Sequence, residues 1–296
     1  YCQKVYQGYT TKIEKDVVIS TWQSIYKMPR KYFEHFGCVI GDEAHMFKAK
    51  SLTGIMTKLH QCKYRFGLTG TLDGSQTHKL VLEGLFGTAE KVVSTKELID
   101  KKTLANLKIK CIVLKHPTKK ERMDYVEEMD YIVSRESRNK FILDLCKNIS
   151  GNTLCLFQLV EKHGKILHDG MKGGENVYFV YGGTDTEQRE KIRGLVEGHT
   201  KSTTIASYGT FSTGINIRNI NNIVLASPSK SKIRVLQSIG RGLRTSSTKD
   251  SILIFDIADD ISYGERRNFT LNHFFERINI YNEEQFNYEI SKVKIK

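Results

Sequence analysis

Several things are scarce or missing in this 296-residue chain, and each absence excludes something. No apolar run approaches the roughly 18 residues a membrane-spanning helix needs. Six cysteines (Cys2, Cys38, Cys62, Cys111, Cys146 and Cys155) include no C-x-x-C pair, so neither a metal ribbon nor a disulfide scaffold is expected. The start, Tyr1-Cys2-Gln3-Lys4, has no apolar signal core, and a reducing, cytoplasmic setting is expected. It is also not a methionine, which suggests a fragment or a processed piece. No low-complexity segment or solenoid-length repeat is present.

What is abundant is positive charge. Lys and Arg total 46 against 33 Asp and Glu, a net charge of +13. Such an excess favours a polyanionic partner, most simply nucleic acid, although a solvated lysine-rich surface gives the same arithmetic. The excess is spread along the chain. Residues 1–106 hold 16 basic and 10 acidic side chains, and residues 107–296 hold 30 and 23.

Short apolar, β-branched runs recur at 17–19, 38–40, 64–68, 109–114, 153–157, 177–180, 203–206, 223–226 and 252–255. Continuous rather than alternating apolar strands indicate sheets covered on both faces. Helical patterns at 138–148, 186–196 and 233–244 supply crossovers. The alternation predicts an α/β fold with mostly parallel sheets. A boundary is expected within 99–107, giving domains 1–106 and 107–296. The stretch 268–296 reads as a C-terminal helical appendage.

The chemistry begins at Cys38-Val39-Ile40-Gly41-Asp42-Glu43-Ala44-His45. An apolar strand ends in two adjacent carboxylates, and strand ends are where parallel α/β sheets place ligands. In a nucleotide site one carboxylate holds Mg²⁺ and the other activates water. A solvated acidic turn is the plainer alternative. Near the other end, Gln237, Arg241 and Arg244 recur at i, i+4 and i+7, on one helix face. Two guanidinium forks on one face suit phosphate. Gly240 and Gly242 flank Arg241, and each glycine within a helix costs about 1 kcal/mol relative to alanine. The pair suggests close approach to another surface.

Asp42-Glu43-Ala44-His45 resembles the Walker B box of the superfamily 2 helicases, and the family's further boxes follow in order. Leu68-Thr69-Gly70-Thr71 resembles motif III, and Ser20 to Ser24 resembles a strand-contacting motif of the first domain. Leu156-Phe157-Gln158 resembles motif IV, and Tyr181 to Arg189 the segment after it. Ser212-Thr213-Gly214-Ile215-Asn216 resembles motif V, and Gln237 to Arg244 motif VI. Within the family, the run 18–45 and motif VI look like the branched-DNA helicases of T4-like phages.

The resemblance implies two RecA-like domains, the first incomplete, using ATP and Mg²⁺. Glu43 becomes the general base and Asp42 the metal anchor. Arg241 and Arg244 become arginine fingers and Gln237 a γ-phosphate sensor. His45, Thr69, Thr71, Gly214 and Asn216 line the nucleotide site or couple it to domain closure. Asn216 stands where the family often has Asp, which leaves its nucleotide contact in question. Thr21, Gln158, Arg189 and Thr213 contact the strand. The implied partners are single-stranded and branched DNA, with recombination or single-strand-binding proteins as candidates; a monomer and no membrane are expected. The P-loop G-x-x-x-x-G-K-[ST] that holds phosphates in this family is absent from the sequence. Truncation of a longer helicase is the favoured explanation. A P-loop-less nucleic-acid-binding or annealing module and an RNA helicase are the alternatives.

Overall fold

The structure is a computed structural model. It describes residues 1–6, 8–70, 72, 76–117, 123–214, 217–229, 231–243, 249–263 and 266–296, with the backbone alone at 76, 212–214 and 232–233. The chain divides into two compact units, Tyr1–Lys91 and Val92–Lys296.

The first unit runs β1 (Cys2–Val5), β2 (Val17–Ser20), α1 (Trp22–Ile25), β3 (Cys38–Gly41), α2 (Lys50–Lys58), β4 (Tyr64–Gly67) and α3 (Gln76–Phe86). β1 pairs in parallel with β2, and β3 in parallel with β4. Leu52, Ile55 and Met56, three to four residues apart on α2, bury one face with Phe33, Phe47, Leu59, Cys62 and Leu82. Gly41 and Gly67 stand opposite each other in the β3–β4 register. A Cβ on Gly41 would lie 2.8 Å from the Phe47 ring, and one on Gly67 2.9 Å from Phe86. The two glycines thus let Phe47 and Phe86, edge to face at 5.0 Å, pack tightly against the strand ends.

The second unit runs α4 (Thr95–Asp100), β5 (Asn106–Lys115), α5 (Tyr125–Ser134), α6 (Glu136–Asn148), β6 (Asn152–Phe157), α7 (Lys165–Asp169), β7 (Val177–Val180) and α8 (Thr186–Gly198). It continues through β8 (Ser202–Ser207), α9 (Tyr208–Gly214), β9 (Asn222–Leu225), α10 (Lys232–Gly242), β10 (Ser251–Asp260), α11 (Phe269–Glu283) and β11 (Tyr288–Lys294). Seven strands form one parallel sheet in the order β11-β5-β10-β9-β6-β8-β7. Every residue of β6, β8 and β9 is buried, as continuous apolar runs require when helices cover both faces. One face packs on α9, α10 and α11 through Phe211, Val235, Ile239, Phe274 and Tyr281. The other packs on α6 and α7 through Ile142, Cys146 and Leu167. Ile99 and Leu104, from the segment where a boundary is expected, pack against the second unit's core.

The C-terminal stretch differs from the expected helical appendage. α11 buries Leu271, Phe274, Ile278 and Tyr281 in the core, and β11 adds an edge strand parallel to β5. Its sequence, Tyr-Glu-Ile-Ser-Lys-Val-Lys, is polar because an edge strand is half solvated and charge discourages further pairing. Among the described residues, no helix is long and apolar enough to cross a membrane.

Candidate nucleotide and strand site

β3 delivers its chain end to Asp42 and Glu43, both exposed. Glu43 sits in the left-handed region with φ of 50°, a conformation that costs a non-glycine residue on the order of 1 kcal/mol. Its N–H donates to Asp42 Oδ1 at 2.9 Å, which closes the turn. Ala44 N donates to Leu68 O at 2.8 Å, and Leu68 N donates to Gly41 O at 2.8 Å. These two bonds splice the end of β3 to the segment after β4. The buried His45 ring completes the joint. Its Nδ1 lies 3.0 Å from Thr69 Oγ1 and 3.3 Å from Glu43 Oε2. The structure therefore brings Asp42, Glu43, His45 and Thr69 into one cluster.

The chemistry of this cluster fits Mg²⁺ held with phosphate and water. Asp42 and Glu43 offer hard, exposed carboxylate oxygens, and Mg²⁺ typically takes one or two protein carboxylates and keeps several waters. Among the described residues, no group of three or more His, Cys, Asp or Glu side chains converges into an all-protein cage. Thr71 lies outside the described residues.

Thr21 is exposed at the start of α1, with its hydroxyl 3.0 Å from Ser24 Oγ. Trp22 and Tyr26 meet edge to face beside it, at 5.7 Å.

In the second unit, Gln158 follows the C-terminal end of β6. Its N–H donates to Ser227 Oγ at 3.1 Å, and its Oε1 accepts from Arg234 Nη1 at 3.4 Å. The Arg234 guanidinium lies 5.5 Å from the centre of the Tyr208 ring. Arg189, in the first turn of α8, turns back onto the preceding loop, donating to Gly182 O at 3.2 Å and Tyr181 O at 3.4 Å. It braces the Tyr181–Thr184 turn. Thr213 and Gly214 lie in α9, while Asn216 is outside the described residues.

Ser231 caps α10, its hydroxyl accepting from Arg234 N at 3.3 Å. Gln237 and Arg241 lie half-buried one turn apart along this helix, with Arg241 5.8 Å from the centre of the Phe211 ring. Arg244 is outside the described residues. The close approach suggested by the two glycines is met within the unit's own fold, and at one of them. A Cβ on Gly242 would fall 2.2 Å from Ile252 Cδ1 and 2.8 Å from Ile223 Cδ1, so this glycine seats α10 on β9 and β10. Among the described residues nothing lies within 4 Å of a Cβ on Gly240. The buried amine of Lys249 donates to Gly242 O at the end of the helix, and burial pushes its pKa down to about 8.

Sequence reasoning missed a buried polar layer within the second unit. Asp259 binds Arg138 through two bonds, Nε at 2.7 Å and Nη2 at 2.9 Å, and lies 2.9 Å from His116 Nε2. Burial alone would raise the Asp259 carboxyl, but Arg138 and His116 together outweigh it and hold it at about 2. Asp256 binds Arg277 and accepts from Tyr281 OH at 2.9 Å. His163, wholly buried after β6, places Nδ1 2.9 Å from Ser227 Oγ. Burial, reinforced by the Arg138 charge, pushes the His163 ring down to about 3. The available signal was two aspartates, Asp256 and Asp259, inside an apolar strand run.

Comparison with known proteins finds a family match in each unit. The family described as type III restriction enzyme, res subunit, matches residues 2–74, and the helicase conserved C-terminal domain matches 136–246. The ATP-dependent DNA helicase uvsW of Enterobacteria phage T4 is 35% identical over 302 residues, covering 96% of this chain. The chain spans 60% of that relative's length. The crystal structure of T4 UvsW aligns over 99% of this chain and 62% of its own, at 33% identity and a TM-score of 0.55. A fragment of a putative HsdR subunit of a type I restriction enzyme from Vibrio vulnificus, at 16% identity, shares the fold with a TM-score of 0.75 over 99% of this chain and 55% of its own. With the helicase C-terminal family on the second unit, 35% identity to a DNA helicase across 96% of the chain and the parallel α/β architecture, this chain belongs to the superfamily 2 helicases.

Proposed function

We propose that this chain carries part of the motor of an ATP-dependent DNA helicase that acts on branched DNA. Unwinding of D-loops and R-loops, fork regression and junction migration are its expected reactions, in recombination, replication and repair. The observation that carries the reading is the 35% identity to T4 uvsW across 96% of the chain, which spans the Asp42–Glu43–His45–Thr69 cluster and motif VI.

Mg²⁺, when bound, would neutralise phosphate charge and orient the β- and γ-phosphates. Asp42, with its exposed carboxylate, would hold that ion. Glu43, lifted clear of the strand by its left-handed backbone, accepts the proton of the attacking water. His45 reports the state of the Glu43 carboxylate to Thr69, because the same ring nitrogen faces both. Arg241, with Arg244, stabilises charge on the transferring phosphoryl group, and Gln237 reads the γ-phosphate. Thr21, Gln158 and Thr213 hold the DNA backbone, positioning a strand without reading its sequence.

The test uses the polypeptide that the natural reading frame encodes, since the P-loop is not among these 296 residues. Arg241→Ala should lower DNA-stimulated ATP hydrolysis by roughly 10³-fold or more while DNA affinity stays near wild type. Turnover within a few-fold of wild type would refute the assignment. Preference for forked over linear duplex in an unwinding assay tests the branched substrate.

A further inference from the structure

Two wholly buried arginines, on opposite faces of the large sheet, converge on the same short loop. The loop is Ala226-Ser227-Pro228-Ser229, which leaves β9 and leads to the Ser231 cap of α10. Arg138, from α6, donates Nη2 to Ala226 O at 2.7 Å. Arg277, from α11, donates Nη1 to Ser229 O at 3.0 Å. Tyr208 OH donates to Ser227 O at 3.0 Å. Three of the loop's four carbonyls, at 226, 227 and 229, are thus each held by a buried side chain. From the other side, Ser227 Oγ is held by His163 and by the N–H of Gln158.

Each arginine is itself locked by an aspartate of β10. Asp256 and Asp259 lie three residues apart on one strand, so they project to opposite faces. Asp259 takes Arg138 on the face of α6, and Asp256 takes Arg277 on the face of α11. Both pairs are wholly buried or nearly so.

Stability does not require this arrangement. Replacing a buried ion pair by well-packed apolar residues is often neutral or stabilising, so two such pairs are weak evidence for stability. What they do supply is geometry. A guanidinium engaged by both carboxylate oxygens is fixed in plane and direction, and its remaining donors then fix whatever they touch. Here they touch the segment that aims the helix bearing Gln237 and Arg241.

We propose that Arg138 and Arg277 are positioning residues, which clamp the Ala226–Ser229 loop from both faces of the sheet and so set the placement of α10 and its Arg241. The clamp itself stands on the geometry above; its consequence for turnover rests on the role given to Arg241 under Proposed function. Arg138 and Arg277 touch the loop carbonyls, and they act through α10.

The experiment uses Arg138→Lys and Arg277→Lys in the polypeptide of the natural reading frame. Lysine keeps the charge opposite each aspartate but has no second fork for the carbonyl. Amide hydrogen exchange should be about tenfold or more faster in peptides spanning 229–237, with β5 and β8 unchanged. The kcat for DNA-stimulated hydrolysis should fall about tenfold or more, at unchanged KM for ATP and unchanged DNA affinity. Added to Arg241→Ala, either substitution should cost little further, because residues acting through one group are not additive.

Wild-type exchange at 229–237 in both variants overturns the clamp. Faster exchange with unchanged kcat overturns its role in positioning. Full additivity with Arg241→Ala does the same. Near-wild-type turnover of Arg241→Ala alone refutes the function assigned to Arg241, and exchange then decides the clamp by itself. If either lysine variant fails to fold, Tyr208→Phe removes only the bond to Ser227 O. It should speed exchange at 229–237 by about fivefold, the value of one ordinary hydrogen bond, and no change there overturns the proposal.

Discussion

His163 should make the second unit acid-sensitive well above the carboxylate range. Its ring is wholly buried, held against Ser227 Oγ, and within the field of Arg138. Burial and that charge hold its folded pKa at about 3, against 6.5 in the unfolded chain. Between these values the unfolded state binds a proton that the folded state refuses. Stability contributed by this group is therefore intact above about pH 6.5 and is lost as pH falls below it, at roughly 1.4 kcal/mol per unit. At pH 5 the loss amounts to about 2 kcal/mol. Asp259 cannot offset it there, because a carboxyl held at about 2 stays ionised in both states at pH 5. The assay is urea unfolding of the 296-residue chain at pH 7, 6 and 5, beside His163→Gln. Glutamine can still bond Ser227 and does not titrate. Wild type should lose about 2 kcal/mol more than the variant between pH 7 and pH 5. Parallel losses in the two proteins would refute the reasoning, because the proton would then bind elsewhere.

Legibility in the sequence followed range. The strands at 17–20, 38–41, 64–67, 106–115, 152–157, 177–180, 202–207, 222–225 and 251–260 were announced by apolar runs. Coverage of both sheet faces accounts for the runs of β6, β8 and β9, whereas β2, β3 and β4 carry exposed residues despite theirs. β1 and β11 were missed because Cys-Gln-Lys-Val and Tyr-Glu-Ile-Ser-Lys-Val-Lys interleave polar residues. β11 shows why: an edge strand need not be apolar on both faces. The Asp42–Glu43–His45 segment was readable because its chemistry is contiguous, and its partner Thr69 is only 24 residues away. The clamp was not readable. Arg138 and Asp259 are 121 positions apart, and neither lies in a recognisable box. A lone arginine in an amphipathic helix reads as surface until the opposing aspartate is placed. The glycines of motif VI teach a related lesson. Their composition signalled close packing, but the surface that Gly242 meets, Ile223 and Ile252, is set by topology rather than by the motif.

Two further predictions concern local devices in each unit. Asp124 forms a capping box on α5, accepting from Val126 N at 2.8 Å and Glu127 N at 2.9 Å while Glu127 Oε2 accepts from Asp124 N. Asp124→Ala should cost about 1 kcal/mol, read from the urea midpoint at unchanged slope; no shift would show that α5 is held by packing alone. The second is Gly67→Ala, which probes the joint between the two carboxylates and Thr69. The new methyl would sit 2.9 Å from Phe86 Cγ and 3.0 Å from Ala44 Cβ. Neither atom is the far end of a flexible chain. Phe86 Cγ is the root of a ring wedged edge-on against Phe47, and Ala44 is tied through its N–H to Leu68 O. Overpacking of this kind typically costs about 1–3 kcal/mol. Relief must push Ala44 outward, and His45 and Glu43 are its chain neighbours. Gly67→Ala should therefore lower stability and, in the polypeptide of the natural reading frame, lower kcat for ATP hydrolysis beyond the loss of folded protein. Gly84→Ala is the control, since nothing lies within 4 Å of its Cβ among the described residues. Equal turnover per folded molecule in the two variants would mean that the small residue at 67 serves packing and not the placement of Glu43.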